Sequence, residues 1–295
     1  MGEQPMSVGV VDIGTNSIRL LITDGIRDIE RLEVVTGLGS RVDSTGVLSE
    51  SRMVETLVVL NRYGRMLDEA GVSKRMAIAT SASRDAANRE AFFDRVEEMI
   101  EIRPTLITGE DEARFAYQGA IQGFEGLGAV VVSDIGGGST EFVTEASAVS
   151  IDIGSVRITE RAIPDRPAPR EQVAIARATI GQEFAALSTT EYDTLIGVAG
   201  TWTSLASVAR ALPQGTPIHG REVTRAEVGR IVDIMALLTI EETADLQGLD
   251  PKRAPVILGG ILVAEGVMDA LGADLAVVSE HDTLDGVAMT LLALP

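Results

Sequence analysis

The sequence predicts an α/β fold built twice, as two lobes, and three observations carry that prediction. Short apolar runs alternate with stretches of helical spacing, the pattern of an α/β chain. The pattern halts at a glycine-spaced stretch, residues 123–128, and then restarts. Both starts use one device. Val10-Val11-Asp12-Ile13-Gly14-Thr15-Asn16-Ser17 and Val132-Ser133-Asp134-Ile135-Gly136-Gly137-Gly138-Ser139 each give an apolar strand, an aspartate, a glycine turn and a hydroxyl. The glycine stretch sets the expected boundary: an N-terminal lobe over residues 1–126 and a C-terminal lobe over 127–295, with the last helix able to pack back on the first lobe.

The elements follow in order. Residues 7–13 read as a buried strand and 16–23 as its return, with Arg19 near the start of the return. Residues 45–71 carry helical spacing at Met53, Leu57, Leu60, Met66 and Leu67 and stop at Gly71. A strand at 75–80, one helix over 83–102 and an extended piece at 106–108 come next. Thr108, three residues before Asp111, makes a capping-box-like start for a helix through Gln122. After the restart, strands are expected at 129–133, 140–144 and 149–153, and a proline-rich loop at 163–169. Then come a helix at 170–187, a strand at 194–198 and a helix at 200–211. Thr224 and Glu227 form a capping box before a helix to Leu238, and a helix, strand and helix at 255–271, 273–279 and 282–294 complete the chain.

Composition narrows the function classes. The 295 residues favour two domains and are 45% hydrophobic but only 3% aromatic, so aliphatic side chains do the packing. There is no cysteine, which excludes disulfides, thiolate metal sites and a cysteine nucleophile. The start Met1-Gly2-Glu3-Gln4-Pro5-Met6 has no basic-then-apolar leader, and Met6 stands where a myristoylation motif wants Ser or Thr. No run of about 18 apolar residues occurs, so no membrane span is expected, and a cytoplasmic protein is. A formal net charge of -19 argues against nucleic acid or anionic membranes as partners. Lysine occurs only at 74 and 252, so the cations are arginines, which grip phosphate bidentately.

The two turns are the first candidate site. Glycines let backbone N–H groups point inward as an anion nest, with hydroxyls beside them. Gly14, Thr15, Asn16 and Ser17, and Gly136, Gly137, Gly138, Ser139 and Thr140, are therefore candidate phosphate ligands; a plain β-turn is the blander reading of either turn alone. Asp12, Asp134 and Glu141 lie at strand ends beside these turns and are candidate ligands for Mg²⁺ or Mn²⁺, or else caps of their own turns. Glu110, Asp111 and Glu112 cluster at a helix start, where favourable interaction with the helix dipole competes with a general-base role. The residues alone do not choose among the three. Arg84, between a strand and a helix, can reach a phosphate or sit in solvent. Gly197-Val198-Ala199-Gly200-Thr201 is a third strand–glycine–helix junction, and Arg19, Arg157 and Arg253 lie near motifs. His219 and His281, the only histidines, read as structural or exposed.

Taken together these segments resemble the Ppx/GppA family of exopolyphosphatases and guanosine pentaphosphate phosphatases. The matching stretches run from Asp12 to Leu20, Ala79 to Asp85, Ile107 to Arg114, Asp134 to Glu141, Gly154 to Arg157 and Gly197 to Thr201, in family order over nearly the whole chain. The resemblance implies a two-lobed ribonuclease H-like fold of the acetate and sugar kinase/Hsp70/actin class, with the active site in an interlobe cleft. It implies Glu112 as catalytic base, Asp134 and Glu141 as Mg²⁺-associated acids, and Asn16, Arg84, Gly136 and Ser139 as phosphate contacts. It implies a homodimer, and a Mg²⁺-dependent exopolyphosphatase acting on inorganic polyphosphate, with pppGpp as the alternative substrate. Longer relatives continue into helical domains beyond the point where this sequence stops at Pro295, so short-chain polyphosphate is expected. A kinase of the same fold class would need an acceptor site that the sequence does not show. A non-catalytic polyphosphate or alarmone sensor would have no need of Glu112.

Overall fold

The first strand, β1 (Val8–Ile13), is an unbroken buried run because both of its faces are covered. The computed structural model describes residues 7–187 and 191–294; the Met1 to Met6 start lies outside the described residues. The chain divides into two compact units, Met1–Phe115 with Thr283–Pro295, and Ala116–Asp282. The glycine stretch 123–128 lies inside the second unit, and Gly123, Gly126 and Gly128 all have positive φ.

In the first unit, β1 is followed by β2 (Ser17–Thr23), β3 (Asp28–Val35), α1 (Val42–Thr45), α2 (Glu50–Glu69), β4 (Lys74–Ala79), α3 (Ser81–Asp85), α4 (Arg89–Ile100), β5 (Thr105–Leu106) and α5 (Gly109–Ala120), whose second half passes into the other unit. The sheet order is β3-β2-β1-β4-β5. β2 and β3 run antiparallel as a meander from β1, while β4 and β5 run parallel. Val11 and Ile13 turn to one face, where they pack with Leu57, Leu60 and Leu67 of α2 and Phe92 and Val96 of α4. Val8 and Val10 turn to the other. Asp12 shares that second face by the two-residue period of a strand.

The sequence places one helix over 83–102, but the chain breaks it into α3 and α4. Asn88 is the reason: its side chain accepts from the Leu48 N–H and donates to the Leu48 carbonyl, both at 2.9 Å, and Ala86 is drawn into extended backbone. The edge strand β3 was not expected, because its outward positions (Asp28, Ile29, Glu30) carry no clean alternation.

The second unit repeats the plan. Its elements are β6 (Val130–Ile135), β7 (Thr140–Val143), β8 (Ala148–Ile151), α6 (Ser155–Ala162), α7 (Arg170–Phe184), β9 (Thr194–Val198), α8 (Ala199–Val208), β10 (Arg221–Thr224), α9 (Arg225–Ala236), α10 (Ile240–Ala244), α11 (Ile257–Leu271) and β11 (Leu275–Val278). Read from the far edge, the sheet is β8-β7-β6-β9-β11, with β10 added outside β11. β6, β7 and β8 are an antiparallel meander, and β9 and β11 continue parallel to β6. This is the first unit's order again, so the duplication is one of topology as well as motif. Phe142 meets Phe184 of α7 edge-on at 5.1 Å, and Trp202 of α8 is fully buried against Gly197, where a Cβ would stand 2.3 Å from the indole. The capping box at Thr224 and Glu227 is present, and α10 has a second one at Thr239 and Glu242. Buried Glu265 of α11 accepts from Arg177 of α7 and pairs with Arg225 of α9.

The last helix, α12 (Thr283–Ala293), belongs to the first unit. Leu284, Val287, Ala288 and Leu291 cover the face of Val8 and Val10, and Asp285 is bonded by Arg31 of β3. Closing that face takes the leucine and valine side chains out of water at about 1.5–3 kcal/mol each.

Candidate active site

The first turn joins β1 to β2. The strand register sets Ile13 against Ile18 and Asp12 against Arg19, and the Gly14 N–H donates to the Ser17 carbonyl at 3.1 Å. Its carbonyls are tied back by the loop after β3: Thr36 and Gly37 donate to Asn16, and Gly39 donates to Thr15 at 2.7 Å. Among the described residues, the N–H groups of Thr15 and Asn16 have no hydrogen-bond acceptor. Carbonyls turned away and N–H groups left open define an anion nest. Asp12 is buried and accepts the Arg19 Nε at 2.8 Å, so its charge is balanced across the hairpin. The Thr15 hydroxyl accepts from the Ala82 N–H at 3.1 Å.

Arg84 and Glu112 meet in the same unit. The Arg84 Nη1 donates to the Glu112 Oε2 at 2.9 Å and to the Ile107 carbonyl at 3.1 Å. Of the three clustered acids, Glu110 and Asp111 project outward, and Asp111 bonds the Thr108 hydroxyl that starts the helix. Glu112 alone turns inward, with only 13% of its side chain exposed. Burial pushes its carboxyl above the ordinary glutamate range. Arg84 pulls it down, Asp12 pushes it up and Arg19 opposes Asp12. Charges of alternating sign, Arg19, Asp12, Arg84 and Glu112, thus gather on one side of the first sheet, and Glu112 is a stronger base than an exposed glutamate.

The second turn copies the first. Ile135 stands against Thr140, and the Gly136 N–H donates to the Ser139 carbonyl at 3.0 Å. Here the carbonyls are held by the start of α6. Ser155 donates to Gly136, and Val156 and Arg157 donate to Gly137, at 3.0, 2.8 and 3.2 Å. Among the described residues the N–H groups of Gly137 and Gly138 have no acceptor. Gly154 is what allows this approach: a Cβ there would stand 2.6 Å from the Gly137 carbonyl carbon. Thr140 donates its hydroxyl to the Ile153 carbonyl at 2.5 Å, so it braces the turn, and Ser139 is buried beside it.

Opposite Asp134, where the first hairpin has Arg19, the second has Glu141. Both acids are buried, and Glu141 accepts from Ser150 of β8 at 2.7 Å. Among the described residues no group of three or more His, Asp or Glu side chains gathers into a metal cage. Mg²⁺ needs none: it keeps several waters and takes one or two carboxylates along with phosphate oxygens. Two buried carboxylates facing each other beside an anion nest fit such an ion bound together with phosphate. At the third junction Ala199 has φ 65°, and the Arg253 guanidinium lies over Gly200 within 2.1 Å of where a Cβ would be. His219 stacks on Phe124 and touches His281 edge-on.

Sequence reasoning missed α6 as the clamp on the second turn, and it missed Ser150. Gly154-Ser155 was a usable helix-start signal, since glycine is an accepted N-cap residue. Ser150 has no local signal, since only the β7–β8 register brings it to Glu141.

Two ribonuclease H-like units, each with an anion nest closing its first hairpin, one with a buried glutamate–arginine pair and one with paired acids, define a phosphate-handling protein of the actin and sugar-kinase fold class. Comparison with known proteins sharpens this. The model of the Ppx/GppA phosphatase family matches residues 17–293. Exopolyphosphatase 2 of Mycobacterium tuberculosis is 34% identical over 96% of this chain and 98% of its own length, and exopolyphosphatase 1 of that organism is 30% identical over 90% and 82%. Among solved structures, an exopolyphosphatase-like protein superposes with a TM-score of 0.91 at 30% identity over 96% of this chain and 98% of the other. The Aquifex aeolicus family member gives 0.81 at 32% identity over 97% of each chain. The chain belongs to the Ppx/GppA phosphatase family, and it is a phosphatase.

Proposed function

We propose that this protein is an exopolyphosphatase that removes terminal phosphates from short-chain inorganic polyphosphate, with Mg²⁺ or Mn²⁺ as cofactor, working as a homodimer in the cytoplasm. The observation that carries the reading is Glu112: an inward-facing carboxylate of raised basicity, ion-paired to an arginine. The name of the M. tuberculosis relatives, matched almost end to end, favours polyphosphate as the substrate.

In this reading the open N–H groups at Thr15 and Asn16, and at Gly137 and Gly138, bind phosphate oxygens. Arg84 exchanges part of its contact with Glu112 for the terminal phosphate. Glu112 takes a proton from water as the water oxygen attacks the terminal phosphorus. The bond to the bridging oxygen breaks, and orthophosphate and a polymer one unit shorter leave. Asp134 and Glu141 would hold the divalent ion, which neutralises charge on the phosphates. Base assistance is worth about 10²–10⁴-fold.

The test is phosphate release from short-chain polyphosphate and from pppGpp, with Mg²⁺ and with EDTA, for the wild type and Glu112→Gln. Metal-dependent release falling by at least about 10²-fold in the variant is expected. Faster turnover of pppGpp would move the substrate assignment. Tight binding without release of either would leave a sensor.

A further inference from the structure

Thr15 sits in the first anion nest, yet its side chain is directed to another task. Its hydroxyl accepts from the buried Ala82 N–H at 3.1 Å. Ala82 belongs to α3, the one-turn helix that carries Arg84 in its last turn. That helix has no side-chain cap of its own at Thr80, so the Thr15 hydroxyl serves an N–H group that the helix leaves open. The clasp is tight. Gly39 donates to the Thr15 carbonyl at 2.7 Å, and a Cβ on Gly39 would stand 2.3 Å from the Thr15 methyl and 2.9 Å from Ala82 Cβ. Arg84 then leads to Glu112. One continuous run of contacts therefore joins the nest, the Thr15 hydroxyl, α3, Arg84 and Glu112. The matching position of the second turn is Gly137, which has no side chain to do this.

We infer that Thr15 is a positioning residue: its hydroxyl ties the phosphate-binding turn to the helix of Arg84, so that the turn and the Arg84–Glu112 pair hold one geometry. The inference rests on the hydrolase reading above for the role of that pair. The alternative is that the hydroxyl binds phosphate directly, and the two predict different energetics.

The experiment is a double-mutant cycle on phosphate release, with amide exchange measured on the same proteins. Thr15→Val keeps shape and removes the hydroxyl; Thr15→Ser keeps the hydroxyl. Loss of one buried hydrogen bond predicts a fall of roughly tenfold in kcat/KM for Thr15→Val, mostly in kcat, and rescue to within about twofold by Thr15→Ser. In an Arg84→Ala background Thr15→Val should cost little further, because neighbours acting through one another are not additive. The Ala82 amide should lose protection in Thr15→Val and keep it in Thr15→Ser. An equal loss in both backgrounds, or unchanged Ala82 protection, overturns the positioning role. If Arg84→Ala hydrolyses as fast as wild type, the pair has no function to be positioned for. That result removes the reading of the site, whatever amide exchange shows about the clasp.

Discussion

The two hairpins share one backbone plan and carry opposite charges at one matching position. Each closes on a glycine N–H to serine carbonyl bond, at 3.1 and 3.0 Å, and each has its turn carbonyls pulled back by a later segment. Each has an aspartate on the face away from its main core, and seven residues on, directly across the ladder, a charged partner. In the first unit that partner is Arg19 and in the second it is Glu141. The first hairpin balances its own charge through the Arg19–Asp12 pair. The second sets carboxylate against carboxylate, an arrangement that like-charge repulsion disfavours and a bound cation relieves. In the function proposed above, one duplicated backbone divides the work: proton handling at Glu112 in the first unit, cation handling at Asp134 and Glu141 in the second.

The comparison is easiest to break at the clamps. The first turn is held by the loop after β3, and the second by the start of α6 through Gly154. Gly154→Ala would set a methyl 2.6 to 2.7 Å from the backbone of Gly137 and Gly138. Displacing the nest by even a fraction of an ångström to an ångström is expected to cost about 10²-fold in kcat/KM. Gly46→Ala is the control: its Cβ would meet nothing within 4 Å, although φ 69° adds a small strain. If the two substitutions cost the same activity, the clamp is not what shapes the second nest.

The exchanged charge gives the next largest effect. Asp134→Asn and Asp12→Asn remove the same atom from equivalent strands. Binding of Mn²⁺, followed by electron paramagnetic resonance, should weaken by about tenfold or more in Asp134→Asn, the scale seen when a metal's surroundings are altered. It should barely change in Asp12→Asn, whose main effect is an Arg19 deprived of its partner and a less stable first unit. Equal loss of metal affinity in both variants would make Asp12 a ligand after all and dissolve the division of labour.

Legibility in the sequence followed the range of the forces. The doubled turn could be read because its signal is local: glycine, aspartate and hydroxyl within eight residues, twice. Most strands and long helices could be read from periodicity. What escaped was set by distant partners. Nothing near Asn88 announces that it will pair with Leu48 and split a helix. The edge strand β3 is held by β2 and has only one neighbour, so its own residues show no regular alternation. The choice of Glu112 over Glu110 and Asp111 needed the direction of the helix face, which charge clustering alone does not give. The tie between the Thr15 hydroxyl and Ala82 could not be read, because its two ends lie 67 residues apart.

The smallest effect concerns the charge balance within the first unit, and its sign can be worked out. Burial raises the Glu112 carboxyl above its value in the unfolded chain, so folding favours the protonated form. The associated stability is fully present below the unfolded value and lost as pH rises through the folded one. At neutral pH the wild type has therefore given up stability to keep an ionised base. Glu112→Gln is neutral at every pH and can still accept from Arg84. It should melt above wild type at pH 7–8, and the gap should close as pH falls below the usual glutamate range of about 4.3. The acid limb of wild-type kcat/KM should lie above that same range, because only the ionised carboxylate takes a proton from water. Arg84→Ala removes a lowering influence and should move that limb to higher pH still. An acid limb near the ordinary value, with no gain in melting temperature for Glu112→Gln, would mean that the first unit carries no strained base, and that proton transfer in this duplicated fold is done elsewhere.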